Sequence, residues 1–157
     1  MNSKLFIAML AAKYAQIQVR LKSAIEPLDE ISLNWRPNEN SSSIANLILY
    51  LAGTIQYRIE NDFHGEPEPG AWTGFNPMQW KSKEELLEII EDSFQRLDEA
   101  VRRLGERDFL TEAAGTEEAI NPEVLHQCAS HFSEHLGQVL YLSQMRTPAV
   151  TMELQHG

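Results

Sequence analysis

His131 and His135 stand four positions apart in the run His-Phe-Ser-Glu-His-Leu-Gly-Gln, residues 131–138, and are the residues best suited to chemistry. On an α-helix, positions i and i+4 lie one above the other, so both imidazoles leave the same face. This is a common way for one helix to offer two nitrogen ligands to a single metal ion. Two ligands do not complete a site, and a third must come from elsewhere. The remaining histidines serve poorly. His126 precedes His131 by five residues, which turns it by about 140° to another face. His64 falls at the end of the second predicted helix and His156 in the C-terminal tail.

Without a third ligand, the pair has three possible fates: surface residues, a hydrogen-bonded polar pair in the core, or metal ligands. Cys128, His131, Phe132, His135, Leu136 and Val139 share one side of a helical wheel, so the pair at least borders the core. His131-Phe132-Ser133-Glu134-His135 also matches H-x-x-E-H, the inverted zinc-protease motif. That motif needs a distant downstream carboxylate, and Glu153 is the only acid after His135. The protease reading is rejected.

The elements that must hold these residues are helices. Phe6, Leu10, Tyr14, Ile17, Leu21 and Ala24 follow one another by steps of three and four, which predicts a first amphipathic helix over 3–25, stopped by Pro27. A connector over 27–41 contains Trp35-Arg36-Pro37. Ser41, Ser42 and Ser43 offer N-caps to a second helix. Its buried stripe is Ile44, Leu47, Ile48, Leu51 and Ile55, and it is expected to run to about Phe63. Asn46, Tyr50 and Thr54 form a polar line along it, either a pocket wall or a half-exposed flank. Residues 64–81 are rich in proline and glycine and are expected to be a long connector, pinned by Trp72, Phe75 and Trp80. Ser82 with Glu85 is a capping box for a third helix, with Leu86, Ile90, Phe94, Leu97, Val101 and Leu104 inward and Gly105 as its C′ residue. Asn121-Pro122 opens a fourth, carried inward by Leu125, Cys128, Phe132, Leu136, Val139 and Leu142.

Four such helices without a strand signal predict an all-α four-helix bundle, one domain over 1–147 with a loose tail over 148–157. Connector lengths allow an up-down or a crossover arrangement. The net charge of −10 is spread along the chain, which disfavours nucleic acid as a partner. The longest apolar run, 44–52, is too short to cross a membrane. The single cysteine, Cys128, and the lack of a signal-peptide pattern lead us to expect a cytoplasmic protein.

Ser43-Ile44-Ala45-Asn46-Leu47-Ile48-Leu49-Tyr50-Leu51-Ala52-Gly53, together with His131-x-x-x-His135-x-Gly137-Gln138, resembles the DinB/YfiT-like superfamily, and Trp35-Arg36-Pro37-Asn38 is similar to the connector of its small bacterial members. The resemblance implies a DinB-like four-helix bundle, commonly a homodimer. It also implies a divalent metal, zinc or nickel, held by one histidine of the second helix and two of the fourth. Some relatives are metal-dependent S-transferases or isomerases using low-molecular-weight thiols. His131 and His135 match the fourth-helix pair, while the second-helix histidine falls on Tyr50. Tyrosine ligates well only as phenolate, with an ordinary pKa near 10, so it is a poorer zinc partner than imidazole. The expectation is a degenerate or weak metal pocket of His131, His135 and Tyr50. It would belong to a thiol S-transferase or hydrolase relative acting on a small molecule. The alternative is a ligand-binding or dimerisation module that has lost its metal.

Overall fold

The computed structural model of the protein describes residues 2–60, 79–105 and 122–147. Each main helix begins where a side chain can accept the otherwise unpaired N–H groups of its first turn. Asn2 accepts from the Lys4 amide at 2.9 Å and starts α1, Ser3–Ile25. Leu10, Tyr14, Ile17, Leu21 and Ala24 of the predicted stripe are buried, Phe6 is only partly so, and Ile25 is buried as well. A short α2, Glu30–Asn34, lies inside the expected connector, capped by Asp29, whose carboxylate accepts from the Ser32 amide at 2.8 Å. Interaction with the Ser32 side chain first, and this backbone hydrogen bond second, hold the Asp29 carboxyl below its ordinary pKa.

Of the three candidate serines, Ser43 caps α3, Ile44–Thr54. Ser43 and Asn46 bond each other's backbone amides reciprocally, both at 3.0 Å. Helix two was expected as one regular helix to about Phe63. Its α-helical part stops at Thr54, and Ile55–Glu60 continue as a π-turn; residues 61–63 lie outside the described residues. The Ser82–Glu85 box forms as expected and opens α4, Lys83–Arg102. Arg103 rather than a glycine follows as the C-cap, so Gly105 is not at C′. The last helix, α5, Pro122–Arg146, starts at the predicted proline; its expected cap Asn121, the tail 148–157 and connector residues Trp72 and Phe75 are outside the described residues.

Cross-links between helices fix their directions. Lys83 Nζ donates to the Glu26 carbonyl at 2.8 Å and Lys22 pairs with Glu91 at 3.2 Å, so α4 runs antiparallel to α1. Tyr14 bonds Leu125 at one end while Ser143 donates to the Ala24 carbonyl at 3.1 Å at the other, so α5 runs parallel to α1. Tyr50 meets His131 and Arg58 meets Gln127, so α3 runs against α5. The bundle therefore has α1 and α5 pointing one way and α3 and α4 the other, one of the arrangements the connectors allowed. Between them Ile17, Leu21, Ile48, Leu51, Ile90, Leu97 and Phe132 are all but fully buried. At about 1.5–3 kcal/mol for each large apolar side chain removed from water, this core is the main source of cohesion.

The connector is tied to both neighbours. The Asn34 carboxamide pairs with the Lys81 backbone, donating to its carbonyl at 2.8 Å and accepting from its amide at 3.0 Å. The Arg146 guanidinium lies 4.9 Å from the Trp35 ring centroid and donates to Ser32 at 3.2 Å, a cation–π contact that anchors the end of α5. Of the predicted connector aromatics, Trp80 is described: it is exposed and donates its indole N–H to Glu30. No helix among the described residues is long and apolar enough to cross a membrane.

Candidate metal pocket between α3 and α5

The inward stripe of α5 leaves a flank on which Gln127 meets Arg58 and His131 and His135 meet Tyr50. Phe132 and Leu136 anchor the helix in the core and fix the rotation of that flank. On α3 the stripe Ile44, Leu47, Ile48 and Leu51 does the same, and turns the 46–50–54 line towards α5. The polar residues of that line have distinct fates. Asn46 is buried in the capping box, the Thr54 hydroxyl donates to the Tyr50 carbonyl at 2.9 Å, and Tyr50 is half-buried against the histidines.

Three polar heads converge there. The Tyr50 hydroxyl lies 3.3 Å from His131 Nε2, and His131 Nε2 lies 3.1 Å from His135 Nε2. The rings pack closely: Tyr50 and His135 centroids are 4.8 Å apart, and the two imidazoles are 4.6 Å apart and nearly perpendicular. Both Nδ1 atoms point outward. His135 Nδ1 is 3.4 Å from Gln138 Oε1, and His131 Nδ1 is 4.0 Å from the Glu134 carboxylate.

Burial, and secondarily the charge His131 acquires when protonated, hold the His135 pKa below the ordinary imidazole value, with Gln138 and Glu134 opposing weakly. The neutral, lone-pair-bearing form is therefore favoured, which is the form a metal takes. Among the described residues no group of three or more His, Cys, Asp or Glu side chains is placed to hold an ion. The predicted pair and Tyr50 do come together, and the third polar atom beside the two imidazoles is the phenol oxygen. His126 is exposed on a different side of α5, as its spacing requires; His64 and His156 lie outside the described residues.

Near this seam Arg58 and Gln127 were not anticipated, whereas Cys128 was expected to point inward. Arg58 on the π-turn donates to Gln127 at 3.2 Å, while its Nε is buried with no acceptor among the described residues. Cys128 is fully buried beside it, and burial pushes its thiol pKa up, so it stays protonated and unreactive at neutral pH. Glu134 and Gln138 were legible in principle, because each follows a histidine by three residues and must lie beside it on a helix.

A family model described as the DinB superfamily matches residues 13–139, which spans α1 from its third turn to the site residues of α5. No curated protein and no solved structure matches the chain.

Proposed function

Because the chain belongs to the DinB superfamily, we propose that its bundle carries a weak divalent-metal pocket made by His131, His135 and Tyr50, serving thiol transfer or hydrolysis on a small electrophile. The observation that carries this reading is the 3.1 Å separation of the two Nε2 atoms with the Tyr50 hydroxyl 3.3 Å from one of them. Two nitrogens bound to one tetrahedral zinc at about 2.0–2.1 Å stand about 3.3 Å apart, so donors at these spacings fit a shared small cation. The donor set suits zinc or nickel, with imidazole as the stronger contributor. A cation held there would acidify a bound thiol or water and polarise an electrophile.

The chain's own residues supply the rest. The core stripes of α3 and α5 fix the rotations that bring the donors together. Low basicity at His135 keeps its lone pair available near neutral pH. Tyr50 sets the limit. Its phenol must lose a proton to bind well, and because phenols ordinarily keep that proton at neutral pH the loss costs affinity there. We take the working form to be a cytoplasmic homodimer, with a low-molecular-weight thiol as one reactant.

One observation favours a second reading. A protonated Tyr50 can donate to His131 Nε2, which satisfies the phenol without any ion. The pocket would then be a polar ligand-binding or dimerisation surface. Calorimetric titration of the purified full chain with zinc and with nickel separates the two. The metal reading expects saturable one-to-one binding that His135→Ala abolishes. It also expects Tyr50→His to tighten binding by on the order of 100-fold, or about 2.7 kcal/mol. Absence of saturable binding in the wild type overturns it in favour of the second reading.

A further inference from the structure

A neutral imidazole carries one N–H, and the partner of one ring nitrogen decides which nitrogen keeps the lone pair. At His135 the outward atom, Nδ1, is 3.4 Å from Gln138 Oε1, a carbonyl oxygen that can only accept. At His131 the outward Nδ1 faces the Glu134 carboxylate at 4.0 Å, too long for a hydrogen bond but of a sign that favours N–H there. Both outward partners therefore select the same tautomer, with the proton on Nδ1 and the lone pair on Nε2.

That choice has a consequence on the inner side. The two Nε2 atoms are 3.1 Å apart. With the proton on either one, they would form an ordinary N–H···N hydrogen bond and neither lone pair would be offered to a third atom. With both protons outward, two lone pairs face each other and the Tyr50 hydroxyl, an arrangement relieved by a proton donor or a cation. Metal-binding histidines commonly give their second ring N–H to a carbonyl or carboxylate for this reason.

We propose that Gln138 is a positioning residue that locks His135 in its Nδ1–H tautomer and so turns the Nε2 lone pair into the pocket, with Glu134 as a weaker counterpart on His131. The significance of this lock rests on the metal-pocket reading above, but the tautomer itself does not. Gln138 is exposed and one helical turn along from His135, so its replacement leaves the core untouched. The carboxamide orientation is also testable, because a carboxylate in its place is an obligate acceptor.

The experiment uses the metal-free full chain at about pH 8.5, two units above the ordinary imidazole pKa. Long-range proton–nitrogen correlation spectra report the tautomer of each histidine, and zinc titrations are run on the same proteins. The expected result is His135 as Nδ1–H in the wild type and in Gln138→Glu, and a shift towards the Nε2–H form in Gln138→Leu. Zinc affinity should fall by about 10–100-fold in Gln138→Leu and be restored in Gln138→Glu. His135 found as Nε2–H in the wild type, or unchanged in Gln138→Leu, overturns the proposal. If the tautomer follows Gln138 but zinc binds none of the proteins, the positioning role stands and the metal reading alone fails.

Discussion

Two tyrosines meet α5 from different helices, and they have opposite surroundings. Tyr14 on α1 is buried, packs with Phe132 at 6.0 Å between ring centroids, and donates its hydroxyl to the Leu125 carbonyl. Burial drives its pKa far above the ordinary phenol value, so it remains a neutral donor. Tyr50 on α3 is half-buried and faces two imidazoles. The first phenol is spent on a backbone carbonyl inside the core. The second sits where its proton can be shared, given up or replaced. Residue type does not distinguish them; the partner and its access to solvent do.

The largest effect should come from breaking the Tyr14 side. Phe132 is fully buried, and Phe132→Ala leaves a cavity beneath the Tyr14 ring as well as losing apolar transfer energy. Losses for such changes run about 3–5 kcal/mol, readable as a lower urea midpoint with little change in slope. A loss under about 1 kcal/mol would mean that the α1–α5 contact is not the core it is taken for here.

Next is a matched pair. Tyr14→Phe removes a donor to a buried carbonyl and should cost about 1–2 kcal/mol, while leaving any metal affinity unchanged. Tyr50→Phe should cost less than about 0.5 kcal/mol, because its surroundings are half-open to water, yet weaken zinc binding. Thermal unfolding with and without zinc reads both quantities. Equal stability losses would erase the distinction between the two phenols.

Most of the fold was legible because its signals are local. The stripes of α1, α4 and α5, the Ser82–Glu85 box and the choice of a serine cap before Ile44 all follow from spacings of three and four residues. What was missed depends on tertiary context. The short α2 is held by Asp29 and by the Asn34–Lys81 pairing, a contact across 47 positions of the chain. The π-turn after Thr54 carries no composition cue that separates it from ordinary helix. For the site, the histidine pair was readable from its own spacing; Tyr50 was legible only as part of the polar line with Asn46 and Thr54, and the resemblance alone set it opposite the pair. The sequence could not show that the phenol would stand 3.3 Å from His131 rather than on a flank.

A smaller effect of opposite sign is expected at Gly137, between His135 and Gln138. A Cβ there meets nothing within 4 Å, so the fold itself does not demand glycine. Gly137→Ala should stabilise the chain by roughly 0.5–1 kcal/mol through helix propensity and reduced unfolded-state entropy. A gain in melting temperature together with unchanged zinc affinity would place the glycine outside the pocket's own needs. Loss of affinity with the same gain would mean that the bare helix surface serves an incoming molecule.

The shallowest effect is with pH, and it again separates the two regions. Unfolded, His135 takes up a proton near 6.5; folded, it resists, because burial and His131 disfavour its charge. Above 6.5 its contribution to stability is fully present. As pH falls from there towards the lower folded value, the unfolded chain binds more protons and that contribution is lost. Tyr14 does the reverse: its folded pKa is raised, so its contribution is present below the unfolded value of 10.0 and lost as pH rises past it. Urea unfolding of the wild type, His135→Gln and Tyr14→Phe across both ranges tests the assignment. His135→Gln should flatten the acid limb and leave the alkaline one, and Tyr14→Phe should do the opposite. If His135→Gln leaves the acid limb as steep as before, the carboxylates set it and the imidazole pair is not the acid-sensitive element of the bundle.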